Sequence, residues 1–285
     1  MLGRALVAEF AATHTVFPSS RHRPRDATAD WLVADIAVPG TLTDVVRKIE
    51  PDCIVHAAAM TNVDECERHP ATALRVNRDS VGELADYCSA TGASLIYIST
   101  DAVFDGQKAS PYSEADPPNP INAYGRAKLG GEHLALRAAN ALVIRTNIFG
   151  WRRNDSASLA EWILDGLRTK SALTMFTDVL FSPIAVELLA PVIKHCAERR
   201  AFGTYNGGGS ETISKYDFSI RLANAFGLPT TNVRPISVDE KHLVARRPKN
   251  MAMDCSKLEA FLGRPLPGVD ESLAAWKSKE PTRKK

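Results

Sequence analysis

Tyr124 and Lys128 stand four residues apart in Tyr124-Gly125-Arg126-Ala127-Lys128, so on a helix the phenol and the ammonium share one face. A free tyrosine ionises near pH ~10. A neighbouring positive charge favours the phenolate and lowers that value by about one to three units. The pair is therefore expected to act on a carbonyl oxygen, with Tyr124 as general acid and Lys128 lowering its pKa. Such chemistry also needs a hydride donor, which points to a nicotinamide nearby. The same spacing arises by chance on exposed helices, so the surroundings must decide.

Those surroundings favour chemistry. Ser94-Leu95-Ile96-Tyr97-Ile98-Ser99-Thr100-Asp101 is an apolar run ending in hydroxyls and a carboxylate. It reads as a buried parallel strand entering its loop, and ligands of open α/β sheets collect beyond such carboxyl ends. A connection containing Pro111, Pro117, Pro118 and Pro120 leads to Asn122, an N-cap for the helix bearing Tyr124 and Lys128. Thr100 is expected to donate a hydrogen bond to the carbonyl oxygen, and Asp101 either to position substrate hydroxyls or to close a strand-end turn.

The chain resembles the extended short-chain dehydrogenase/reductases, and among them the dTDP-4-dehydrorhamnose reductases. His56 to Asp64, Ile98 to Gly106, Tyr124 to Lys128, Arg145-Thr146, Arg247 to Asn250 and Asp254 to Leu258 carry the resemblance, which spans nearly the whole chain. It implies an α/β fold of Rossmann type, a doubly wound parallel sheet with a smaller, interleaved C-terminal substrate lobe. It also implies reduction of a keto-deoxysugar nucleotide by NADPH, with NADH as second choice, as in dTDP-rhamnose biosynthesis. Lys128 would bond the nicotinamide ribose. Gly3 and Arg4 would lie at the pyrophosphate turn, Asp35 and Ile36 at the adenine, and Asn77 beside the active site, where it would equally serve as a cap or packing residue. The family places a tryptophan against the sugar shortly after Arg-Thr; here Trp151 follows three residues late. Ala102 stands where tyrosine is common, so a different 4-keto sugar nucleotide stays open.

Two further cofactor contacts are read from the residues themselves. Phe17-Pro18-Ser19-Ser20-Arg21-His22-Arg23-Pro24-Arg25 follows the second strand without an acidic residue to grip ribose hydroxyls. Hydroxyls and arginines suit a 2′-phosphate, with Arg21 the best candidate, or form a solvated basic loop. Ala57, Ala58 and Ala59 are small residues at a strand end, which leave room for a cofactor or permit close helix–strand packing.

The distal half, notably Ile213 to Asp217 and Arg247 to Glu259, is also similar to the regulatory beta subunit of methionine adenosyltransferase. That similarity implies an NADP-binding subunit that partners a catalytic one. An epimerase or dehydratase of the same superfamily ranks lower, since dehydratases follow the strand-end Thr with Asp-Glu and this chain has Asp101-Ala102.

The elements that must position these groups alternate. Segments near 14–18, 31–34, 53–58, 94–99 and 141–145 read as strands, and those near 3–12, 40–49, 71–90, 122–138 and 185–198 as helices. Such alternation predicts a parallel, doubly wound sheet. Residues 1–145 and about 179–200 are assigned to the cofactor domain, 146–178 and about 201–276 to the substrate lobe, and 277–285 to a frayed tail. Asn206-Gly207-Gly208-Gly209-Ser210 lacks the lysine of a phosphate loop and reads as a flexible connection. The chain opens with only the last part of a glycine-rich turn, so the first strand and two glycines are expected to be missing. Either the natural chain carries roughly a dozen more residues, the favoured expectation, or the short form is real and binds cofactor poorly or not at all; as written, the chain is expected to be destabilised.

Composition fits this reading. Of 285 residues, 45% are hydrophobic and 24% charged, as in a globular protein, and a net charge of +2 gives no field for nucleic acid or membrane surfaces. No apolar run reaches the ~18 residues of a membrane span. Five scattered cysteines read as reduced, cytoplasmic thiols, and seven dispersed histidines suggest no metal. A nucleotide-sugar substrate and a homodimer complete the expectations.

Overall fold

A computed structural model describes residues 1–24, 31–152 and 157–281. Arg25, part of the basic loop, lies outside the described residues. The first part of the chain runs α1 (Leu2–Phe10), β1 (Ser19–Ser20), β2 (Leu32–Val33), α2 (Thr41–Ile49), β3 (Cys53–His56), α3 (Val63–Arg68) and α4 (Pro70–Leu74). A π-helical turn (Arg75–Asp79) leads into α5 (Ser80–Thr91), then β4 (Ser94–Thr100), α6 (Ala123–Ala135) and β5 (Ala141–Thr146). There follow β6 (Ile148–Phe149), α7 (Leu159–Thr169), β7 (Leu173–Phe176), β8 (Leu180–Phe181), β9 (Ile184–Ala185), α8 (Val186–Glu198), β10 (Gly203–Asn206), β11 (Ile213–Ser214) and α9 (Lys215–Ala225). The chain closes with β12 (Val233–Ile236), β13 (Asn250–Met251), α10 (Ser256–Leu262) and α11 (Val269–Ser278).

The main sheet is parallel in the order β10-β5-β4-β3. The side-chain alternation of a strand sends Leu95 and Tyr97 to one face and Ile96 and Ile98 to the other. On the first face they join Leu42, Val46, Val81 and Leu84 from α2 and α5. On the second they join Leu2 and Leu6 of α1 and Leu189, Val192 and Ile193 of α8. Both faces are covered by helices, which is why these strands are continuously apolar. The fold is a doubly wound α/β fold, as expected.

The smaller lobe has its own core, in which Phe149, Ile163, Leu167, Phe181, Phe218, Leu273 and Trp276 cluster. Two short sheets, β11-β8-β13 and β12-β7, support it. It is interleaved with the main domain.

Several expected boundaries shift. Residues 14–18 hold no strand; only Ser19–Ser20 pairs, in parallel with Leu32–Val33. Among the described residues this pair forms a separate sheet from β3. The expected helix over 71–90 is three pieces joined through the π turn. Residues 203–206, expected in the smaller lobe, pair with 142–145 and extend the main sheet. The expected tail begins inside α11, which runs through Ser278 because Trp276 and Leu273 are buried. The glycines after β10 are not a flexible connection. Gly207 donates to the Arg145 carbonyl and Gly209 to that of Ser182. A Cβ on Gly209 would come within 2.4 Å of the Pro183 carbonyl oxygen, so the backbone is close-packed there.

Candidate active site

The helix bearing Tyr124 is fixed at its start. Asn122 is the N-cap, accepting from the Gly125 amide at 2.8 Å. The Asn122 amide group also donates to the Arg246 carbonyl at 3.0 Å, and Glu67 accepts from the Ala123 amide at 2.7 Å. Helix α6 then packs closely against the end of β4, where a Cβ on Gly125 would lie 2.2 Å from the Ala102 carbonyl oxygen.

This arrangement brings Tyr124 beside Thr100, whose side chain favours the phenolate. Tyr124 keeps part of its surface open, so a substrate can reach it. Burial nonetheless raises its pKa well above that of a free phenol, against a smaller lowering by Thr100. Lys128 does not lower it, contrary to the sequence expectation. The ammonium turns inward, donates to the Ile98 carbonyl at 2.7 Å and lies 4.0 Å over the Tyr97 ring. Only 2% of Lys128 is exposed, and burial brings its own pKa down to about 7, with Glu132 opposing. Burial alone therefore leaves the phenol protonated but a weaker acid than a free tyrosine, so its proton is released only to an oxygen on which charge is growing.

Asp101 is also buried, and its carboxylate is engaged. Thr100 donates to Oδ1 at 3.0 Å and Asn147 to Oδ2 at 2.5 Å. Burial raises its pKa, while Asn147, Lys215 and Thr100 oppose the rise. Asp101 thus orients Thr100 and Asn147 rather than gripping substrate hydroxyls. Asn77 is similarly committed, since its Oδ1 accepts from the Met60 amide at 2.9 Å and its Nδ2 donates to the Met60 carbonyl at 3.0 Å. This clasp holds the loop after β3, and with it Ala57, Ala58 and Ala59. The Asn77 carbonyl accepts from the Tyr97 hydroxyl at 2.8 Å, which links the clasp to the ring beneath Lys128.

Trp151 does not join the site. Its ring stacks on Trp276 at 4.4 Å and its Nε1 donates to the Trp276 carbonyl at 2.8 Å, in the core of the smaller lobe. Arg21 follows β1, is exposed and donates to His22 at 3.1 Å, as a basic loop residue would. Asp35 closes a turn by accepting from the Ala37 amide at 2.9 Å, and Ile36 packs against the α2–α5 core. Gly3 and Arg4 lie in the first turn of α1. A Cβ at Gly3 would meet nothing within 4 Å, so the space beside that helix start is open. Arg21 follows the carboxyl end of β1, and Asp35 and Ile36 that of β2.

Four participants were missed. Glu132 accepts from Ser99 at 2.5 Å and from Arg145 at 2.8 Å, a buried pair that ties β5 to α6. It was legible, since Tyr124, Lys128 and Glu132 recur every fourth residue on one face. His56 stacks on Tyr97, with ring centroids 6.0 Å apart. Asn147 and Lys215 carried no local signal, because each meets Asp101 only through the tertiary fold. A cleft of about 980 Å³, lined by Asp52, Ser94 and Asn140 among others, opens at the amino ends of the strands, on the side away from this chemistry.

The family model described as RmlD substrate binding domain matches residues 1–279. Methionine adenosyltransferase 2 subunit beta of Bos taurus is 34% identical over 299 residues, covering 96% of this chain and 84% of that protein. dTDP-4-dehydrorhamnose reductase of Sinorhizobium fredii is 34% identical over 251 residues, covering 84% and 83%. The crystal structure of dTDP-4-dehydrorhamnose reductase from Bacillus anthracis in complex with NADP is 26% identical, with a TM-score of 0.84 over 98% of this chain and 95% of that one.

Proposed function

The chain belongs to the RmlD substrate binding domain family, and from that premise we propose that it reduces a keto-deoxysugar nucleotide with NADPH, NADH serving as second choice. One observation carries the reading: Tyr124, at the start of α6, acts together with Thr100, the last residue of β4. The surroundings fit the cofactor. The helix start at Gly3 is open, alanines follow β3, and Arg21 stands beyond β1 to meet a 2′-phosphate. When bound there, NADPH supplies the hydride.

The chain's own residues do the rest. As negative charge grows on the carbonyl oxygen, the Tyr124 hydroxyl gives up its proton to it, and Thr100 can donate to that oxygen only by turning its hydroxyl away from Asp101. Asp101, gripped by Asn147, holds Thr100 in place. Lys128 lies over the Tyr97 ring and donates to the Ile98 carbonyl, which leaves two of its three donors for the nicotinamide ribose. The test is NADPH oxidation by the purified protein with dTDP-4-dehydrorhamnose, the substrate named for the reductase relatives. Failure to oxidise NADPH with this or any other nucleotide sugar would overturn the reading.

A second reading is a non-catalytic, NADP-binding regulatory subunit, like the methionine adenosyltransferase 2 subunit beta relatives. The inward turn of Lys128 and the diversion of Trp151 into the core favour it. Stoichiometric co-purification of a catalytic partner, together with absent turnover, would decide for it over the reductase.

A further inference from the structure

Lys215 enters the site from the smaller lobe. It follows β11, whose antiparallel pairing with β8 sets its backbone, and its amide donates to the Val179 carbonyl at 3.0 Å. The ammonium lies 3.1 Å from the centroid of the Phe181 ring. That ring is itself immobilised, 2% exposed and edge-on to Phe218 at 5.4 Å. A cation over an aromatic face is held by the ring's quadrupole, which uses none of its hydrogen-bond donors.

Asp101 is the acidic group that acts on this ammonium. Its two oxygens are already taken by Thr100 and Asn147, so it offers attraction without a hydrogen bond. Among the described residues no acceptor meets the Lys215 Nζ. Its surroundings disfavour the charge, bringing its pKa to about 7, yet the side chain is only half-buried and stays reachable. A half-buried ammonium with three unused donors on the protein side gains when an acceptor arrives. The residue beside Asp101 is Thr100, the partner of Tyr124, so that acceptor would arrive with the reacting group.

We propose that Lys215 is a substrate-binding residue that donates hydrogen bonds to an oxygen substituent of the reacting sugar, from the Asp101 side of the site, and selects nucleotide sugars that carry such an acceptor. The assignment rests on the reductase reading above and deepens it. A diphosphate oxygen is the other acceptor on such a ligand, but the Asp101 carboxylate beside the site would repel it, whereas a neutral hydroxyl or ring oxygen is tolerated.

The test titrates dTDP-4-dehydrorhamnose, and separately dTDP, into the NADP⁺-loaded protein, where no reduction can follow. Lys215→Met should weaken the sugar nucleotide about tenfold or more, the worth of one charge-assisted hydrogen bond, while dTDP and NADP⁺ bind as before. KM should rise by the same factor with kcat little changed, and Lys215→Arg should recover part of the loss. Should the methionine variant fail to fold, Lys215→Gln gives the same readout. Unchanged affinity for the sugar nucleotide, or an equal loss for dTDP, overturns the proposal and leaves the reductase reading standing. If the wild-type protein neither binds nor reduces dTDP-4-dehydrorhamnose or any other nucleotide sugar, both fall.

Discussion

At the scale of single residues, the acidity of the proton donor is set by burial more than by a neighbouring charge. Burial disfavours the Tyr124 phenolate, and Thr100 opposes that only in part. Tyr124→Phe removes the proton and little volume, so turnover should fall by about 10²–10⁴-fold while NADPH still binds, as fluorescence titration would report. The spacing of Tyr124 and Lys128 in the sequence gave the shared helix face correctly. It could not give the acceptor of the ammonium, because that acceptor, the Ile98 carbonyl, belongs to a distant strand. Asn77 follows the same logic: its position was legible, its double hydrogen bond to Met60 was not. Trp151 shows the converse, since a residue chosen by family position is captured by Trp276 from the last helix.

Among the elements, α6 holds the most of the site and tolerates the least change. A Cβ on Gly131 would lie 2.4 Å from the Tyr97 hydroxyl and 2.5 Å from the Asn77 carbonyl oxygen. Gly131→Ala should therefore push α6 off the π turn and break the hydrogen bond between those two groups. We expect a loss of about 1–3 kcal/mol in denaturant unfolding, as for overpacked cores, together with a raised KM for NADPH. Helical propensity alone predicts the opposite sign, because alanine is favoured over glycine by about 1 kcal/mol. Long elements were readable from periodicity: β4, β5, α2, α6 and α8 fall within a few residues of expectation. Short ones were not. The first pair shares only Ser19–Ser20 with Leu32–Val33, too brief for an alternating pattern to emerge. Whether β10 belonged to the sheet depended on an edge opened by β5, which no local pattern records.

Across the whole molecule, buried titratable groups shape the response to pH. His56, packed on Tyr97, has its pKa pulled to about 3 by burial and by Lys128, from 6.5 in an open chain. Between those values the unfolded chain binds a proton that the folded one refuses, so stability present above pH 6.5 is lost as the pH falls toward 3. Lys128 and Lys215, each near 7 when folded, act at the alkaline end. Their contribution grows as the pH rises from about 7 toward 10.5. His56→Gln should flatten the acid limb of a stability–pH curve and leave the alkaline limb in place; an unaltered acid limb would exclude His56 as its source. Among the described residues, β1 and β2 form a two-stranded sheet apart from the main one. Regions held by few backbone pairs open first, and a bound ligand slows their opening most. Deuterium uptake at Leu32 and Ala34, whose amides donate to the carbonyls of Pro18 and Ser20, should drop steeply when nucleotide is added, while the amides of Leu95 to Thr100, already slow to exchange, scarcely change.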